Sequence, residues 1–384
     1  MAVQKIKVED FLGLAIEHPI LDVRSPAEYS HAHIPGACSM PLFSDEERKI
    51  TGTTYKQNSR EDAIKIGLDF FGPKMRGMIE QTEDLLRTRS TEYPTTNTVL
   101  VHCWRGGMRS AGVAWLLDLY GFKVFTLAGG YKAFRQWTLQ QFEKEYSLQV
   151  VGGFTGSGKT KVLAEMKKSG ASVIDLEDLA SHKGSAFGAI NMPLQPSQEM
   201  FENKLAVELW RFVEAGNNNR NRIQNKSELS DTETFLTDLN NQPHPILWVE
   251  DESQRIGNVN IPLSFWKQIR GSSLLFLQVP FDERLAFLIQ DYGKGDKDKL
   301  IEAVIRIQKR LGGLEAKTAI DLLQQDNLRE AFRILLHYYD KQYKKGLHSR
   351  ENYKELVTEV ACEKVDAAAN AQKISQIKTQ KENA

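Results

Sequence analysis

Cysteine is scarce: Cys38, Cys103 and Cys362 are three residues in 384, far apart and odd in number. Without metal-ligand spacing, they argue against both a disulfide framework and a zinc site, and no metal ligand is assigned. Long apolar runs are missing as well, which leaves no candidate membrane span. The opening residues, MAVQKIKVEDF, lack the apolar core of a secretory signal, so the expected location is the cytoplasm. Net charge is also absent. Fifty basic residues balance fifty acidic ones, and any nucleic-acid contact must therefore come from local patches. Two patches stand out: Arg306, Lys309 and Arg310 on one predicted helix, then Lys341, Lys344, Lys345 and Arg350 around Tyr338, Tyr339 and Tyr343. Each has the composition of an ordinary solvated helix face as well.

The length predicts more than one compact domain. Short β-type runs (PILDV, NTVLVHC, KVFTL) alternate with helical stretches, and after YKAFRQWTLQQFEKEY a second series follows with LQVVGGF, SVIDL, ILWVE and SLLFLQV. Strands alternating with helices imply parallel sheets flanked by helices, so both domains are expected to be α/β. The expected bounds are 1–138 for the first domain, 139–147 for a helical linker and 148–295 for the second domain. A helical C-terminal region with a polar, fraying tail is expected over 296–384.

The stretch VHCWRGGMRS places Cys103 directly after a strand. Gly106 and Gly107 let the backbone curl so that amide N–H groups from Trp104 to Ser110 point inward, and a helix opening near Met108 and Arg109 aims its positive end at the same point. With Arg105 and Arg109 beside it, the Cys103 thiolate should be stabilised and nucleophilic at neutral pH. A plain structural cysteine would not need two arginines and two glycines around it.

A second loop, Gly153-Phe-Thr155-Gly156-Ser157-Gly158-Lys159-Thr160, matches G-x4-G-K-[ST] between a strand and a helix. Its amides would hold a diphosphate, Lys159 would sit on the outer oxygens, and the Thr160 hydroxyl could reach a metal such as Mg2+. Asp175, Glu250 and Asp251 end later strands, where a carboxylate could bind metal or orient water. The triple acid Glu250-Asp251-Glu252 departs from the single aspartate of ordinary nucleotide hydrolases, and no base-specificity motif is evident.

LDVRSPAEYSHAHIPGA, the Cys103 loop and TLAGGYKAF together resemble the rhodanese domain, a sulfurtransferase fold. By that resemblance Asp22, Arg24 and Glu28 are scaffold residues. The C-x5-R spacing from Cys103 to Arg109 is one residue longer than in usual sulfurtransferases and equals that of rhodanese-like phosphatases, which suits a larger anion. A rhodanese-like domain followed by a P-loop NTPase-like α/β domain and a helical extension resembles the tRNA 2-selenouridine synthases. The likeness extends to PLFSDEERKITGTTYKQ, DLEDLASHKGSAFG and VEDESQRIG. The last two stretches make Glu177, His182, Lys183, Ser185, Glu252, Ser253 and Arg255 supporting site residues by resemblance; the family commonly has arginine where Lys183 stands. What the resemblance implies is a transferase that replaces sulfur by selenium at C2 of wobble 2-thiouridine in tRNA. Selenophosphate, supplied by a selenophosphate-producing enzyme, is the expected donor, and S-geranylation from geranyl diphosphate the expected activation. Two other readings remain open: a sulfurtransferase or phosphatase-like module fused to a P-loop kinase or NTPase, and a tRNA-thiolation accessory protein.

Overall fold

A computed structural model describes residues 3–89, 97–227, 245–293 and 295–382. The chain forms two compact units: Met1–Gln141 with Glu202–Val207, and Phe142–Phe201 with Glu208–Ala384. No helix among the described residues is long and apolar enough to cross a membrane.

The first unit is built on a parallel sheet of β1 (Gln4–Ile6), β2 (Ile20–Asp22), β3 (Ala37–Ser39), β4 (Thr98–His102) and β5 (Lys123–Leu127) in the order β1-β5-β4-β2-β3. β4 is buried along its whole length, as its unbroken apolar sequence requires of a strand covered on both faces. Its core joins Leu21, Val23, Val99 and Val101 to Val113, Leu116 and Leu117 of the helix Met108–Tyr120. The helix Gly130–Gln141 belongs to this unit, with Tyr131 and Phe134 fully buried. Of the stretch read as a linker, 139–147, residues 139–141 close this helix, and the second unit begins at Phe142.

The second unit carries the parallel sheet β12-β11-β6-β8-β7, made of β6 (Leu148–Gly153), β7 (Ser172–Ile174), β8 (Leu247–Glu250), β11 (Leu274–Gln278) and β12 (Val357–Ala361). A short antiparallel pair, β9 (Arg255–Ile256) and β10 (Val259–Asn260), stands beside it in sequence. One core packs Val151, Val162, Leu163 and Leu277 with Val360 and Ile374. A second is mostly helical, gathering Leu285, Leu288, Val304, Ile307, Phe332 and Leu335 with Phe187 and Ile190 from turns. The region from residue 296 is helical apart from β12, which completes the edge of the P-loop sheet by pairing with β11. The tail expected to fray is a helix over Ala367–Glu382 instead, anchored by Ala371 and by Ile374, which is fully buried. Spaced three residues apart, those two side chains share one helix face and bury it.

Candidate functional site

In the first unit Cys103 lies just past the end of β4, almost fully buried, with its Sγ 3.2 Å from the Ser110 Oγ. Ser110 Oγ also donates to the Gly107 carbonyl at 3.1 Å. Burial works against the thiolate, but the Ser110 hydroxyl, the backbone of Ser110, the Arg109 charge and the Gly107 backbone outweigh it. The thiol pKa is therefore lowered. Arg109 is itself fixed: its Nη1 donates to Glu28 Oε2 at 2.9 Å, and Arg48 reaches the same oxygen at 3.0 Å. Despite desolvation, these guanidinium groups and the Ser25 N–H hold Glu28 down at about 2, so the pair stays charged throughout the neutral range.

The loop is held from behind by the glycine pair of TLAGG. Gly130 has φ +60°, and a Cβ there would come within 2.4 Å of both Cys103 O and Gly106 N. Only glycine permits that approach. The Tyr131 and Lys132 N–H groups then donate to Cys103 O and Trp104 O, each at 2.9 Å. Tyr131 is braced in turn by Arg24, whose guanidinium lies 3.8 Å from its ring centroid and is gripped by both Asp22 oxygens. Glu28 thus holds the loop directly through Arg109, while Asp22 and Arg24 support it through Tyr131. Gly129 and Gly130 carry as much of the geometry, and the TLAGGYKAF run was their only signal in the sequence. Trp104, Arg105 and Met108 are exposed around the loop.

In the second unit the loop after β6 turns through Gly156 and Gly158, both at φ +80°, into the helix Lys159–Lys168. Ser157 Oγ is buried with no hydrogen-bond partner among the described residues. Thr160 Oγ1 donates within reach of Glu177 Oε2 (3.0 Å) and Glu250 Oε2 (3.3 Å), Glu250 Oε1 accepts from the Glu177 N–H at 2.8 Å, and Lys159 Nζ stands 3.9 Å from Glu252. Glu177, Glu250 and Glu252 offer oxygens all within 4.8 Å of one another, a cluster the sequence reading did not assign to a metal. One lysine cannot neutralise three crowded carboxylates, of which Glu250 is buried and Glu177 and Glu252 are half-buried. Burial, then mutual repulsion, pushes Glu252 up to about 8 and Glu250 well above the usual carboxylate range, and Glu177 is raised too. Gly184 closes over this cluster: at φ +68°, its Cβ would meet Glu252 Oε2 at 2.6 Å. Sequence reasoning named its neighbours and missed it.

The loop is clamped by the helix Leu328–His348. Arg284 donates to Thr155 O at 3.0 Å and forms a two-bond pair with Asp340, while Tyr343 OH accepts from Gly153 N at 3.3 Å and donates to Asp251 at 2.5 Å. Two expectations change here. Asp251, expected to bind metal or orient water, is engaged by Tyr343 and by Arg350. Arg350, expected in a basic surface patch, has a fully buried side chain that also donates to Ile269 O and Arg270 O. Lys341, Lys344 and Lys345 are exposed on the helix Leu328–His348, and Arg306, Lys309 and Arg310 on the helix Lys297–Leu311, where Arg306 donates to Ala186 O at 2.9 Å.

The other supporting residues hold local structure. Asp175 caps the helix Leu176–Ala180 through the Asp178 N–H at 2.8 Å. His182 is buried against Gly188, Lys183 pairs with Asp291 at 2.8 Å, and the Ser185 hydroxyl accepts from the Phe187 N–H at 3.2 Å. Ser253 donates to Arg255 O, and Arg255 to Gly257 O, shaping the β9–β10 turn.

Comparison with known proteins agrees with this division. Residues 8–136 match the family described as "Rhodanese-like domain", and residues 146–225 and 222–375 match "tRNA 2-selenouridine synthase AAA domain". Proteins named tRNA 2-selenouridine synthase are similar along most of their length. That of Nitrosomonas europaea is 35% identical, covering 75% of this chain and 67% of its own. Those of Nitrosomonas eutropha (30%) and Hydrogenovibrio crunogenus (31%) each cover 87% of this chain, and 89% and 91% of their own. A cysteine loop on a rhodanese-type sheet, a glutamate-lined P-loop on a second sheet, and relatives matched along most of their length place this chain in the tRNA 2-selenouridine synthase family.

Proposed function

We propose that this enzyme exchanges sulfur for selenium at C2 of a wobble 2-thiouridine in tRNA, using geranyl diphosphate to activate the sulfur and selenophosphate as donor. The observation that carries the proposal is the pairing of a thiol biased toward thiolate with a separate loop built for diphosphate. The names of the relatives supply the tRNA and the selenium.

In the first step the 2-thio sulfur attacks C1 of geranyl diphosphate. The C–O bond breaks, and diphosphate departs onto the loop amides and Lys159, whose attraction grows as charge develops on the leaving oxygen. Glu177, Glu250, Glu252 and Thr160 form an all-oxygen set that fits Mg2+, which when bound would neutralise diphosphate charge. In the second step the Cys103 thiolate attacks phosphorus of selenophosphate, forming an S–P bond and expelling hydrogen selenide; water later cleaves that bond to phosphate and free thiol. Hydrogen selenide adds to C2, and the geranyl thiolate leaves and takes a proton from solvent. The longer C-x5-R loop suits a phosphorus-bearing anion better than a lone chalcogen. Contacts to tRNA are assigned to Arg306, Lys309, Arg310, Lys341, Lys344 and Lys345.

The glutamate cluster beside Thr160 also favours a second reading, a metal–nucleotide site that drives an NTP-dependent reaction. One experiment separates the two. Lys159→Ala protein is given S-geranylated tRNA and selenophosphate without nucleotide, and nucleosides are read by mass spectrometry. The proposal expects selenouridine there, with geranylation of 2-thiouridine tRNA nearly abolished. Loss of both steps in folded protein refutes the division of labour, and rescue of wild-type turnover only by ATP or GTP selects the NTPase.

A further inference from the structure

The helix Met108–Tyr120 opens at the Cys103 loop and buries Val113, Ala114, Leu116 and Leu117 against the sheet. Its outer face is apolar too. Met108, Ala111, Trp115 and Leu119 are exposed, with Met108, Trp115 and Leu119 at 53%, 54% and 68%. Spacings of three, four and four residues put them on one stripe, where a surface helix normally carries charge. Trp104, 37% exposed in the loop itself, stands at the head of the stripe in sequence. By helix rise the stripe runs about 16 Å from Met108 to Leu119. Cations stand at its loop end, Arg109 and Arg105 in the loop and Arg60, whose Nη2 is 3.9 Å from Met108 Sδ, while the Arg87 guanidinium near Tyr120 at the far end is paired with Glu83 and Asp84.

We propose that this stripe is the binding platform for the prenyl chain of an S-prenylated nucleoside during selenium transfer. A ligand with an anionic end and an apolar tail matches a surface that is cationic at the thiol and apolar beyond it. The apolar tail starts at the very sulfur that must be displaced beside Cys103, so its place is next to the loop, where the stripe begins. This inference rests on the geranyl route proposed above.

The test uses the full chain, selenophosphate, and two anticodon stem-loop oligonucleotides carrying S-geranyl- or S-methyl-2-thiouridine. In the double variant Trp115→Ser/Leu119→Ser, KM for the S-geranyl oligonucleotide should rise about tenfold, or about 1.4 kcal/mol of binding. KM for the S-methyl oligonucleotide should stay unchanged, and Trp115→Phe/Leu119→Met should restore S-geranyl binding. Equal weakening of both substrates, or of neither, overturns the platform while leaving the geranyl route intact. Wild-type protein that fails to convert the S-geranyl oligonucleotide overturns the route and the platform together. A wild-type dimer that the serine variant dissolves, seen by sedimentation, would make the stripe a subunit interface and overturn the proposal.

Discussion

Ser110→Ala tests the electrostatics of the cysteine loop. The hydroxyl oxygen lies 3.2 Å from Cys103 Sγ and also bonds the Gly107 carbonyl at 3.1 Å, yet it has only one hydrogen. To stabilise the thiolate it must turn away from Gly107. A bond to a charged acceptor contributes about 1.5–3 kcal/mol and the neutral bond given up about 0.5–1.5 kcal/mol. The difference, about 1–1.5 kcal/mol, corresponds to about one pKa unit. Removing the hydroxyl should therefore raise the Cys103 pKa by about one unit. Well below both pKa values the thiolate fraction falls about tenfold, but the more basic thiolate is about threefold more nucleophilic, for a Brønsted slope of about 0.4–0.5. Carbamidomethylation of Cys103, followed by peptide mass spectrometry from pH 5 to 10, should be about threefold slower than wild type in acid. Above both pKa values it should be about threefold faster. Crossing curves are the signature. A rate change of the same sign at every pH would mean that the mutation alters access, and an unmoved midpoint would refute the assignment of the hydroxyl.

Further outcomes follow from other parts of the two loops. Cys103→Ser should lower selenouridine formation by orders of magnitude while geranylated tRNA accumulates and tRNA binding persists; near wild-type turnover would remove Cys103 from the chemistry. Gly130→Ala forces a Cβ to 2.4 Å from Cys103 O at φ +60°, and urea unfolding should show a loss of about 2 kcal/mol or more. Glu252 keeps its proton up to about pH 8 when folded, against about 4.5 unfolded, so folding stability falls as pH rises between those values. Glu252→Gln should remove that contribution, raising Tm relative to wild type at pH 8 and much less at pH 4, in metal-free buffer. Neutralising Lys341, Lys344 and Lys345 should flatten the salt dependence of tRNA binding by about one unit of log–log slope for each phosphate that the variant no longer neutralises; an unchanged slope places the RNA elsewhere.

The elements legible in the sequence are those whose cause is local. β4, β6, β8 and β11 are buried on both faces, so their apolar runs announce them, and each anion loop is a contiguous glycine pattern after such a strand. What escaped depends on residues far apart in the chain. β12 is five residues, VTEVA, among helices, and only its register against Leu274–Gln278 makes it a strand. Arg350 reads as one more cation in a basic run until Asp251, ninety-nine residues earlier, is found bonded to it. The glutamate cluster is the clearest case. Glu177 and Glu250 are seventy-three residues apart; Glu250 reads as a carboxylate at a strand end and Glu177 as one acid among several after Asp175, with nothing local to join them. Their raised pKa values follow from burial and from crowding with Glu252 around a single lysine, a property of the fold rather than of any segment. On the proposed diphosphate reading, a cation bound with the ligand would take the place of the proton that Glu252 holds up to about pH 8, which ties the crowding around Lys159 to function.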